Sequence, residues 1–254
     1  MVSETDRDYM WQEYAPPDPR MKCNIGIRRR LAPLVDGELP PRVHLLHALL
    51  LALPGSPVLY YGDEIGMGDN IWLHDRDGVR TPMQWNDGGR GRLLRGRESD
   101  FYLPLVQDPG YAKERVNVEQ QMLDPGSLLV WLRAMLVIRR RHPVFGLGTF
   151  EDLGGGENEA VFAFLRTMPF GSGASHRGDL TGAMAVLCVN NLSASPQTIT
   201  LDLSRFRGPD PVQPAQGRTA SDGRRGALRA ARGAARVPLA AADGGRPGPD
   251  RADR

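Results

Sequence analysis

Between Pro40 and Pro54 the chain crowds Val43, Leu45, Leu46, Leu49, Leu50 and Leu53 into a segment long enough for about four helical turns, closed by Pro54-Gly55. This pattern predicts a buried helix. Pro57-Val58-Leu59-Tyr60-Tyr61 follows, a short apolar and aromatic run cut off by Gly62, which predicts a strand buried on both faces. Helix, tight turn and buried strand together form an α/β signature. From Gly62 to about Pro125 the chain is rich in Gly, Asp, Asn and Pro with little periodicity. Loops of that length are usually functional, so candidate chemistry is sought there first. Ser127 is placed to cap a helix in which Leu128, Trp131, Leu132, Met135 and Leu136 follow the helical period. Arg139, Arg140 and Arg141 fall at its C-terminal end, where cations suit the helix dipole.

Past Gly146 the pattern changes to short runs: 148–153, 160–166, 183–190 and 198–203, separated by Gly, Ser and Asn. They predict a small antiparallel β-sandwich. In Thr198-Ile199-Thr200-Leu201-Asp202-Leu203 polar and apolar residues alternate at period two, as in a strand with one wet face. Beyond Phe206 there is no aromatic residue, and Ala, Gly, Pro and Arg dominate. Such a composition buries too little surface to fold, so 207–254 is expected to be disordered. The division that results is 1–145, 146–206 and 207–254.

Charge adds one point. The formal net charge of +2 conceals a tail with ten Arg and five Asp, leaving the body weakly acidic. A body of that kind suits neutral substrates and offers no footprint for nucleic acid. The tail's arginines are diluted by Asp and lack aromatics for stacking bases. No apolar run approaches a membrane span, and the acidic start MVSETDRDYMWQEY does not read as a secretory signal, so a cytoplasmic location is expected. Cys23 and Cys188 lack zinc-site spacing and are expected to be buried free thiols. His44 and His47, three apart on the predicted helix, have no third ligand nearby in sequence, so no metal is expected. No phosphate-binding loop or nucleotide fingerprint occurs, and no cofactor is expected.

The run Leu53-Pro-Gly-Ser-Pro-Val-Leu-Tyr-Tyr-Gly-Asp-Glu-Ile-Gly66 resembles the last barrel strand and following loop of alpha-amylase family enzymes. Asp75-Arg-Asp-Gly-Val-Arg-Thr-Pro-Met-Gln-Trp85 resembles a loop shared by its oligosaccharide-active members. Met67-Gly-Asp-Asn-Ile-Trp72, Asn24-Ile-Gly-Ile-Arg-Arg-Arg-Leu-Ala-Pro-Leu34, Tyr102-Leu-Pro-Leu105 and Val116-Asn-Val-Glu119 narrow the likeness to the trehalose synthases. So does Asp6-Arg-Asp-Tyr-Met10. The likeness covers roughly 4–205 and departs at Gly88–Glu98, which is rich in Arg and Gly.

The fold class implied is α/β plus all-β, the C-terminal part of a TIM (β/α)8 barrel followed by the small β domain. The activity implied is interconversion of maltose and trehalose by retaining intramolecular glucosyl transfer, which needs two carboxyl groups about 5 Å apart. By resemblance those carboxylates sit on earlier strands. A third acid would directly precede Met1, so no catalytic residue is assigned in this chain and the chain alone is expected to be inactive. The resemblance gives Arg80 the task of hydrogen-bonding the glucose in the reacting subsite, against the plainer reading of an ion pair with Asp75 or Asp77. Asp75, Asp77, Trp72 and Trp85 are candidates to line the cleft. Asp63 and Glu64, being adjacent, read as structural rather than as an acid/base pair. A calcium site is not visible. The rival readings are a piece of an alpha-glucosidase or sucrose isomerase and, from another class, a non-catalytic carbohydrate-binding or partner-docking module. An open barrel edge also predicts self-association.

Overall fold

The computed structural model describes residues 3–15, 18–35, 41–88, 100–154, 158–168, 184–202 and 234–239. The chain divides into two units, one comprising Met1–His44 and Val58–Arg133 and the other Leu45–Pro57 and Ala134–Arg254.

In the first unit, α1 (Glu4–Tyr14) starts at Ser3, whose hydroxyl accepts the Asp6 N–H at 3.1 Å. No residue of this helix is buried. A two-residue ladder of β1 (Lys22–Cys23) and β2 (Gly26–Ile27) turns through Asn24, at φ 54°, and leads into the short α2 (Leu31–Leu34). Ala32 and Val35 pack with Val43 of α3 (Pro41–Ala52), and Tyr111 and Leu128 lie against them. A second cluster joins Ile65, Met67, Val106 and Val116. The buried positions along α3 are Val43, His47 and Leu51, spaced four apart on one stripe, while Leu46 and Leu50 are exposed. The helix expected from the sequence is therefore present, but only one face of it is buried.

The strand expected at 57–61 does not form. Residues 56–60 belong to no helix or ladder, and Val58 is 81% exposed. A parallel strand needs a neighbour on the sheet to pair with, and none of the described residues takes that place.

The loop after Gly62 is ordered by polar side chains as well as by the cluster of Ile65, Met67, Val106 and Val116. Gln84 is buried and donates to the carbonyls of Tyr111 (2.9 Å) and Val116 (2.6 Å). The Val118 and Glu119 amides return bonds to the Gln84 and Trp85 carbonyls. The helix α4 (Val118–Leu123) is capped by Asn117, whose Oδ1 accepts the Gln120 N–H. Ser127 Oγ accepts the Val130 N–H at 3.2 Å and caps α5 (Leu128–Arg141), as the sequence predicts.

In the second unit, Arg139 donates to the carbonyls of Leu51 and Gly55, so it serves the end of α3 and not that of its own helix. Arg166, which is fully buried, donates to Ala52 O at 2.7 Å. After α6 (Val144–Leu147), strands β3 (Thr149–Asp152), β4 (Val161–Met168) and β5 (Met184–Asn191) form an antiparallel sheet in that order. Phe164 is fully buried opposite Cys188, and the Phe150 and Phe162 rings lie 5.2 and 5.1 Å from its own. Strand β6 (Gln197–Asp202) directs Ile199 and Leu201 into a cluster with Val161 and Ala163, leaving Thr198 and Thr200 exposed. That matches the period-two reading.

Strand β7 (Ala234–Leu239) pairs antiparallel with β6, Thr200 opposite Arg236 and Thr198 opposite Pro238. This corrects the expectation of a wholly unstructured 207–254, the rest of which lies outside the described residues. The run AARVPL has only one β-branched residue, Val237, and Pro in a strand reads as a breaker. An edge position, where one side of the strand needs no partner, tolerates it.

Candidate functional site

The loop that carries the candidate residues is held by a run of three arginines. Arg28 donates to the carbonyls of Arg20, Ile71 (2.7 Å), Leu73 (2.6 Å) and Asp75, so one rigid guanidinium fixes the whole 71–75 turn. Asp75 sits there at φ 46° with its carboxylate near Cys23 Sγ, at 3.6 Å. Arg29 pairs with Asp69 at 2.9 Å, and the same carboxylate oxygen accepts the Arg30 amide. Arg30 is 2% exposed, donates through Nη1 to the Tyr61 carbonyl, and lies over the Tyr61 ring at 4.6 Å and the Tyr60 ring at 5.2 Å. Gly62 adjoins it at φ 91°, and a Cβ there would stand 2.8 Å from Arg30 Nη1, so both the turn and the close approach require glycine.

These residues wall a cleft of about 330 Å³ lined by Arg29, Arg30, Tyr60, Asp63, Arg76, Val79 and Arg80. Arg80 is therefore in a concave site, with its side chain half exposed, and its contact with Asp77 is loose at 4.0 Å. Asp63 is the one carboxylate of the lining, and its Oδ1 faces the Leu31 amide at 3.4 Å. Glu64 turns away to accept the Gly62 amide at 2.6 Å. Asp63 and Glu64 belong to a single 3-10 turn, Asp63–Ile65, rather than to a strand end.

Asp75, Asp77, Trp72 and Trp85 are not among the lining residues. Trp72 is exposed with the Arg20 guanidinium stacked 3.5 Å from its ring centroid, and Asp18 grips Arg20 in turn. The Arg20 hydrogen bonds hold the Asp18 carboxyl down at about 2. Trp85 anchors the Glu119 amide through its carbonyl. His44 makes an edge contact with Trp131 at 4.5 Å, whereas His47 is buried on the α3 stripe. Among the described residues no three His, Cys, Asp or Glu side chains are grouped to hold a metal. Both cysteines are free thiols, as expected, but neither is fully buried. Also among the described residues, no helix is long and apolar enough to cross a membrane. Of the departure at Gly88–Glu98, all but Gly88 lies outside the described residues.

Sequence reading missed Arg29, Arg30, Tyr60, Arg76 and Val79 as cleft residues. The Arg-Arg-Arg and Tyr-Tyr runs were visible as motifs, but their convergence depends on tertiary contacts across more than thirty positions.

Comparison with known proteins bears on this site. Residues 29–148, which include the whole cleft lining, match the alpha-amylase catalytic domain family. A trehalose synthase of Pimelobacter sp. (strain R48) is 56% identical over 213 residues, covering 84% of this chain and 35% of that protein. A trehalose synthase/amylase of Mycobacterium tuberculosis is 53% identical over 213 residues, covering 84% and 33%. This chain thus spans about a third of the length of these relatives. Among solved structures, an alpha-amylase from H. orenii superposes with TM-score 0.52 at 23% identity, over 84% of this chain and 36% of that one. A trehalulose synthase from Pseudomonas mesoacidophila MX-45 gives 0.51 at 20%, over 91% and 39%. These superpositions show the fold, that of alpha-amylase family enzymes. The chain is a homologue of the trehalose synthases, and its residues 29–148 match the alpha-amylase catalytic domain.

Proposed function

We propose that this chain supplies one wall of the sugar site in an enzyme that interconverts maltose and trehalose, with Arg80 contacting the glucose of the reacting subsite. The observation that carries this reading is the position of Arg80. It lines the cleft, half exposed, and is held by Asp77 only at 4.0 Å. A planar guanidinium left this free can hydrogen-bond two sugar hydroxyls at once. In this reading 1–145 is the C-terminal portion of the barrel and 146–206 the β domain beside it. The chemistry is retaining glucosyl transfer, in which released glucose re-attacks the glucosyl intermediate while water is kept out. That reaction needs two carboxyl groups flanking one bond, and the cleft lining offers only Asp63. The chain by itself is therefore inactive in this reading.

The test is a graft. Residues 4–205 replace the matching segment of the Pimelobacter enzyme, and the products formed from maltose are followed by chromatography. Trehalose is expected, and Arg80→Ala is expected to lower kcat/KM by about a hundredfold. Glucose without trehalose would favour the alpha-glucosidase reading. An unchanged Arg80→Ala rate would sink the assignment of the sugar contact.

A further inference from the structure

Among the described residues, the lining of this cleft is net positive. Four of its seven lining residues are arginines and one is acidic. Arg29 is matched by Asp69, and Arg80 has only its distant contact with Asp77. Arg76 has no ion-pair partner among the described residues.

Arg30 is the decisive group. Its Nη1 is used by the Tyr61 carbonyl, but Nε and Nη2 are buried with no hydrogen-bond partner among the described residues. These two donors share one edge of the guanidinium and point in parallel. Such an edge fits two oxygens of a single carboxylate or phosphate. A buried cation with two unmet donors is costly in a fold, and an oxyanion removes that cost. Tyr60 lines the cleft beside Arg30 and is 41% exposed, so its ring is the group placed to turn aside.

We propose that this cleft binds a monosaccharide-sized ligand bearing an oxyanion, a sugar phosphate or a sugar acid, with two oxygens on the Nε and Nη2 edge of Arg30 and with Arg76 and Arg80 at the mouth. The volume of about 330 Å³ is at the small end for ligand sites and suits one sugar unit rather than a polymer. The inference goes beyond the neutral-disaccharide reading and does not rest on it.

The test is calorimetric titration of the chain with glucose 6-phosphate, glucuronate, glucose and maltose. At least one of the two anions is expected to bind about tenfold or more tightly than glucose, and the tighter one identifies the oxyanion. Arg76→Gln is expected to weaken that binding about tenfold and Arg30→Met to abolish it. Salt raised to about 0.5 M should weaken it several-fold. Arg76 is on the surface, so its variant keeps the test valid if Arg30→Met fails to fold. Equal affinity for charged and neutral sugars, or anion binding indifferent to Arg76→Gln, overturns the inference. Maltose binding without a preference for anions defeats this inference alone. Anion binding without any maltose contact leaves it standing and defeats the earlier reading.

Discussion

Arg28, Arg29 and Arg30 are three consecutive copies of one side chain put to three uses. Arg28 gathers loop carbonyls, Arg29 pairs with Asp69, and Arg30 stacks on two tyrosines beneath the cleft. Arg166 does in the β domain what Arg28 does in the loop. Fully buried, it donates to Ala52 O (2.7 Å), Gly148 O (3.0 Å) and Thr149 O (3.0 Å), with no carboxylate partner among the described residues. Burial and the nearby Arg139 charge lower its pKa. Arg166→Met keeps much of the volume but strands three carbonyls, so it is expected to destabilise the chain by about 2–4 kcal/mol in urea unfolding. A change within about 0.5 kcal/mol would show that those bonds are dispensable. Cys188 gives a pH signature. Burial pushes its thiol from 9.0 to about 11, with Arg166 pulling weakly the other way. Because the folded pKa is raised, the fold holds the proton more tightly than the unfolded chain. Stability is then full below about pH 9 and declines as pH rises towards about 11. Iodoacetamide at pH 8 should modify Cys23 well before Cys188, as read by mass spectrometry. Equal rates would mean that Cys188 is not sheltered.

At the scale of elements, the pattern of the sequence was legible where one segment determines its own structure. The α5 cap at Ser127, the span of α3 and the alternation in β6 are all local, and each is present. Ser127→Ala is expected to cost about 1 kcal/mol, read by thermal unfolding, since Ser127 accepts at the first turn of α5. What was not legible depends on partners distant in sequence. The apolar run at 57–61 has strand composition but no ladder, because pairing is a property of two segments. The Ala-Ala-Arg-Val-Pro-Leu of β7 has poor strand composition yet pairs along the whole of β6. The cleft followed the same rule. Arg80 was legible through a motif, whereas Arg30 and Tyr60 meet only through folding. Strand β7 is the sole ladder partner of β6 among the described residues. Deleting 207–254 should therefore raise amide hydrogen exchange at Gln197–Asp202 by tenfold or so. Unchanged exchange would place β7 elsewhere.

For the molecule as a whole, the central fact is that the chain covers about a third of the length of its trehalose synthase relatives. Val58, Tyr102, Leu123 and Ile25 stand between 76% and 93% exposed in the first unit. Large apolar side chains so placed favour association. Light scattering after size exclusion is expected to show species larger than one chain, and a monodisperse monomer across concentrations would argue against that. The function proposed above has the chain hold part of a maltose and trehalose site without the pair of carboxylates needed for the chemistry. The most direct test incubates the chain alone with maltose in an NMR tube, reading saturation transfer to the sugar and product formation together. Saturation transfer that is lost in Arg80→Ala, with no trehalose or glucose formed, is the predicted result. Trehalose formed above background, or maltose showing no contact with the chain, would contradict it.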